Sequence, residues 1–230
     1  MRKKIILGLA ALAALALVTN TALAAVGVKA SYSLNPAKAN KTAAVAVSIE
    51  SSDPAALQPP IMNRIQIKFP AGGKWNGPKF PKCSINTLNS KGPTGCPSGS
   101  KIGTGNGVGY AKPVVTDPVK AKLTIFNGGN TILVYAFPDL GPTFVTPCKI
   151  VGGYNLDCQI PPIKTLPSAP DASVGTVKTN NPAKSIKKGG KKLGMVVTPK
   201  KCKGSWKSSA TFSFTTGEKV VAPFSQKCKK

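Results

Sequence analysis

Histidine is absent from this chain. Its absence removes Ser-His-Asp and Cys-His nucleophilic sites and any histidine general base. Acidic residues are scarce: Glu50, Asp53, Asp117, Asp139, Asp157, Asp171 and Glu218 are the whole set, and only Glu50 and Asp53 lie close in sequence. A glycosidase needs two carboxylates flanking one bond, and calcium needs clustered oxygen ligands. Neither a carboxylate pair nor an Asp-x-Asp spacing is visible. Zinc is disfavoured as well, since no Cys-x-x-Cys accompanies the missing histidines. Arg64 is the only arginine beyond residue 4, which argues against bidentate reading of phosphates or base edges. Ser98-x-x-Lys101 and Ser185-x-x-Lys188 have the spacing of Ser-Lys acyl-transfer enzymes, but neither opens a helix or carries the accompanying motifs. These absences point to a non-enzymatic protein without cofactor or metal.

The chain opens with a leader. Arg2, Lys3 and Lys4 precede an apolar run from Ile5 to Val18, followed by Ala22-Leu23-Ala24. A basic start, a short apolar stretch and an Ala-x-Ala site read as a signal peptide cleaved after Ala24, too short for a membrane anchor. No second apolar span follows. The expected product, residues 25–230, is exported to the cell wall or beyond. It is long enough for one β domain, or for two β lobes with a break near 161–171.

All six cysteines fall in this exported part. An even number in an oxidising compartment predicts three disulfides. Six cysteines allow fifteen pairings. The sequential set, Cys83–Cys96, Cys148–Cys158 and Cys202–Cys228, is the expectation, because each pair brackets a turn-rich or hairpin-like segment.

Thirty-two Lys+Arg face seven acids, a formal charge of +25; the leader holds three of those cations, which leaves +22. Lysine is a compact, hydrated point charge, so such an excess gives diffuse attraction to polyanions rather than sequence reading. The lysine-rich stretches hold Lys184, Lys187, Lys188, Lys191 and Lys192, then Lys200, Lys201, Lys203 and Lys207. They form a candidate contact surface for an anionic wall or extracellular polymer. The bland alternative is a solubilising, edge-protecting surface on a secreted β protein.

Alternation of period two runs through the chain. Val45, Val47 and Ile49 share one face, as do Ile65, Ile67 and Phe69, and again Ala210, Phe212 and Phe214. Asn127-Gly128-Gly129-Asn130, Gly152-Gly153 and Thr216-Gly217-Glu218 supply hairpin turns. About eleven or twelve short strands with almost no helix predict an all-β, disulfide-stapled antiparallel sandwich, Ig-like or jelly-roll-like. Gly103, Gly105, Gly107 and Gly109 fall on one face of a strand and flatten it, which implies close backbone packing or bulges. Residues 70–97 form a long irregular loop clamped by Cys83 and Cys96. Trp75 and Phe80 within it plug the domain or form a candidate ligand platform for carbohydrate, the alternative function.

Further features carry a resemblance. FPAGGKWNGPKFPKC, LNSKGPTGCPSGSKIGTG, IFNGG, PDASV and TPKKCKGSW with SATFSF together resemble an uncharacterised family of secreted proteins of high-GC actinobacteria. The likeness covers about Ile61 to Cys228. It implies export and a bacterial origin, and it carries over no catalytic residue.

Overall fold

Period-two alternation is realised as one curled sheet in the computed structural model, which describes residues 26–54, 56, 58–167 and 169–230. The expected leader, 1–24, lies outside the described residues. In chain order the strands are β1 (Gly27–Asn35), β2 (Ala44–Ser52), β3 (Met62–Lys68) and β4 (Lys74–Trp75). A seven-residue helix, α1 (Ile85–Lys91), precedes β5 (Lys101–Ala111), β6 (Val115–Asn127), β7 (Thr131–Pro138), β8 (Phe144–Val151) and β9 (Asn155–Gln159). Then come β10 (Ser173–Asn181), β11 (Ser185–Lys188), β12 (Lys191–Gly194), β13 (Val196–Val197), β14 (Ser205–Phe214) and β15 (Lys219–Lys227).

Eleven strands form a single antiparallel sheet in the order β1-β2-β10-β5-β6-β7-β8-β9-β3-β14-β15. Its two edges meet, so the sheet nearly closes into a barrel. The expected sandwich is corrected here. A sandwich and a barrel share the same inward-apolar, outward-polar alternation; they differ only in whether neighbouring strands stay bonded all the way round. The segment in which a break is expected, 161–171, lies within one connection. That segment links β9 to β10, which stand on nearly opposite sides of the ring, so it crosses the barrel mouth within one sheet.

An odd number of antiparallel strands leaves the closing pair, β1 and β15, parallel. No ladder joins them; one side chain does. Leu34 N donates to Gln226 Oε1 (2.8 Å), and Gln226 Nε2 donates to Leu34 O (2.9 Å), so the amide imitates a backbone partner. Beyond it, Lys229 N donates to Ala37 O (2.8 Å) and Ala39 N to Lys229 O (3.0 Å). Beneath the seam the Tyr32 ring meets Phe69 and Phe224 edge-on, at centroid distances of 5.7 and 5.3 Å.

The first rim, at the β1–β2, β6–β7 and β8–β9 turns, is crossed by residues 69–100 and 182–204. There β4 and β13 pair as a roof, with Val196 opposite Trp75. The roof is tied to two sides of the ring: Trp75 N donates to Gly153 O (3.1 Å), and Ala43 N to Val196 O (3.1 Å). The second rim is crossed by residues 53–61 and 160–172. Outside the barrel, α1 buries Leu88 with Phe126, Leu133, Tyr135 and Val145 of β6–β8. Its Ser84 cap accepts from Thr87 N at 3.0 Å, and Cys83–Cys96 clamps its flanks. Sequence periodicity misses a helix this short, because two turns with one buried residue carry no pattern.

All three expected disulfides are present: Cys83–Cys96, Cys148–Cys158 and Cys202–Cys228. Cys148 and Cys158 stand directly opposite on β8 and β9. Cys202–Cys228 ties the entry of β14 to the exit of β15. By chain entropy, a bridge closing a loop of 26 residues contributes about 3–4 kcal/mol.

Two outcomes follow for stability. Gln226→Ala strips half-buried backbone groups of their partners and should cost about 1–3 kcal/mol, with faster amide exchange confined to β1 and β15; an unchanged denaturation midpoint would assign closure to the aromatic contacts alone. The second concerns the outward pair Arg64–Asp157, joined at 2.8 and 2.6 Å. The hydrogen-bonded guanidinium holds the Asp157 carboxyl below its usual value. A lowered carboxylate contributes stability above its unfolded pKa and loses it as pH falls through the folded value. Asp157→Asn should therefore be less stable than wild type at neutral pH, and the gap should close in acid. Denaturation curves across pH that keep a constant gap would refute this.

Candidate functional site

Charge is segregated along the barrel axis. The long connections and tails of the first rim (36–43, 69–100, 182–204, 228–230) hold sixteen lysines and no acid; the connections of the second rim hold two lysines and four acids. Chain segments far apart in sequence are brought together here by strand direction alone. Lys38, Lys41, Lys74, Lys79, Lys82 and Lys91 thus join the cluster expected from the sequence. No local run marks these six in the sequence.

The expected lysines sit as follows. Lys187, Lys188, Lys191 and Lys192 are exposed on the β11–β12 hairpin, turned by Gly189 and Gly190 at positive φ. Lys187 faces Lys192 and Lys188 faces Lys191 directly across that ladder. Like charges placed opposite each other destabilise a hairpin, so its sequence favours charge density over local stability. The hairpin's apolar pair, Ile186 and Leu193, packs onto the inner core. Lys200, Lys201 and Lys203 are exposed around Cys202, and Lys207 is exposed on β14. Lys184 is half-buried, and its Nζ donates to Lys101 O. Of the Ser-Lys spacings, Ser185 and Lys188 lie on β11 three apart, which places them on opposite faces.

Trp75 and Phe80 do not form an exposed platform. Phe80 is buried against Ile102 and Leu123. Trp75 is half-buried in the roof, and its Nε1 donates to Gly129 O at 2.6 Å. Asn127 organises the same cap: its Nδ2 donates to Gly77 O and Pro81 O, and its Oδ1 accepts from Gly129 N.

Inside the barrel lies an apolar cavity of about 280 Å³. Val47 and Ile49 of β2, Ile65 and Ile67 of β3, Leu123 of β6 and Val134 of β7 are among its walls. One side of the interior is packed solid by Met62, Phe212 and Phe214. The opposite wall is β5, whose inward positions are the glycines 103, 105, 107 and 109. The expected close packing and bulges are found there in part. The β5–β6 ladder shifts register beside Gly103 and Gly109, and a Cβ on Gly103 or Gly105 would strike β10 backbone. Gly107 differs, since a Cβ there would meet Thr176 O at 3.5 Å and Leu123 at 3.9 Å, both ordinary contacts. Among the described residues, no group of three or more His, Cys, Asp or Glu side chains is placed to hold a metal. No helix among them is long and apolar enough to cross a membrane.

No family model, curated protein or solved structure matches this chain.

Proposed function

We propose that the protein is a non-enzymatic binding protein of the cell envelope or its surroundings, which docks its lysine-bearing rim onto an anionic polymer. The observation that carries this is the one-sided charge: sixteen lysines and no acid in the long first-rim connections and tails, acids at the other rim. A field of one sign at one end orients the barrel as it approaches a polyanion, which an evenly spread charge does not. The facing lysine pairs of β11–β12 add support, because a polyanion laid across them relieves their repulsion. Three disulfides are compatible with an extracellular setting. The carbohydrate alternative at the Cys83–Cys96 loop has less support, since Phe80 is buried and the Trp75 indole N–H is already committed.

Retention on purified cell-wall sacculi across a salt series tests the reading. Binding should fall steeply with salt, because each lysine that neutralises an anion releases a counterion. Replacing Lys187, Lys188, Lys191 and Lys192 together by Gln should flatten the logarithmic salt slope by about one for each lysine in contact. Retention indifferent to salt, or an unaltered slope in the quadruple variant, would overturn it.

A further inference from the structure

We infer that the barrel lumen is a binding site for one single-chain lipid: an extended hydrocarbon with one hydrogen-bonding end, of the fatty-acid or fatty-alcohol class. This does not rest on the lysine rim.

Three observations converge. The first is the cavity itself. At about 280 Å³ it approaches the range of about 300–1,000 Å³ in which pockets enclose whole ligands, and it exceeds the about 150 Å³ of an apolar void that stays dry and takes up benzene. The surface lining this space is predominantly apolar, aliphatic with a few aromatic rings and polar groups, so hydrocarbon suits it better than water.

The second is Gly107. Core positions in a barrel are ordinarily filled by side chains, and a missing one costs packing. Gly103 and Gly105 are dictated by the close approach of β10, whereas Gly107 has room for a side chain pointing into the lumen. Ala121 stands opposite it on β6, also small and also on the cavity wall. Together they keep a channel open in a wall that could have been packed shut.

The third is Thr165. It is 4% exposed and borders the cavity near the second rim, and its hydroxyl has no hydrogen-bond partner among the described residues. A buried orphan hydroxyl is costly unless something supplies its partner. A ligand head group at that end, with its tail running past Gly107, supplies one.

The test uses the full oxidised protein and cis-parinaric acid, a polyene fatty acid that brightens in apolar surroundings and accepts energy from Trp75 in the roof. It is run in about 1 M salt, where the Debye length is about 3 Å, so that attraction of the anionic probe to surface lysines is suppressed. The expected result is saturable binding of one probe per chain, displaced by unlabelled hexadecanoate. Gly107→Phe should weaken binding at least about tenfold, while the melting temperature holds or rises because the side chain fills the void. Should Gly107→Phe fail to fold, Ala121→Leu fills the same space from β6. Thr165→Val should leave folding intact and weaken the acid about fivefold or more, yet leave the headless probe octadecane unaffected. No saturable binding by wild type, or equal binding by the lumen-filling variants, would overturn the inference. A loss of sacculus retention alone would not touch it.

Discussion

Backbone hydrogen bonding is the constraint on which the structure depends. A strand buried on one face cannot leave its N–H and C=O groups unpaired, and an open sheet of this width would expose two edges to other chains. Curling eleven strands until the edges meet removes most of that liability. The odd number then forces a parallel seam, where β1 and β15 lie alongside without a ladder. Gln226 resolves this by offering both a donor and an acceptor to Leu34. The parallel contact of Lys38 with Lys229 and the aromatic group around Tyr32 finish the closure.

Closure also organises everything else. Once the strands are fixed in a ring, connections between non-neighbouring strands must cross a mouth. Those at the first rim carry the lysines, the roof strands and the flanks of two disulfides. Those at the second rim carry acids and the Thr165 segment. The barrel therefore has a basic end that is stapled and roofed, an apolar interior and a mildly acidic end. Its outward strand positions are largely polar, as in Ser205, Lys207, Ser209, Thr211 and Ser213 of β14, the reverse of the apolar outer band of a lipid-embedded barrel. The polymer docking and the lumen occupancy proposed above would use different parts of this scaffold, so one does not require the other.

Much was legible before the structure. Strand positions followed from alternation and turn residues: the hairpin about Gly152-Gly153 and the C-terminal pair about Gly217 fall where expected. The disulfide pairing followed because each cysteine pair flanked a local element. Other features had no local signature. The 180–192 segment reads as a lysine-rich, glycine-containing turn and proves to contain most of the β11–β12 hairpin, since repulsion between facing lysines argues against pairing until Ile186 and Leu193 find the core. Trp75 and Phe80 read from the sequence either as a plug or as a ligand platform, and only the roof and the Asn127 network, which draw them inward, decide for the plug.

By itself the sequence determined the all-β class, the staples, the cationic excess and the absence of histidine, because these rest on residue types and short-range periodicity. Only the tertiary structure decided between sandwich and barrel, gathered lysines from four separate segments onto one rim, and turned the glycine face of β5 into the wall of a cavity. The reason is common to all three. Alternation says which side of a strand is buried, but not which strand it pairs with, and only the pairing order sets direction, closure and the volume enclosed.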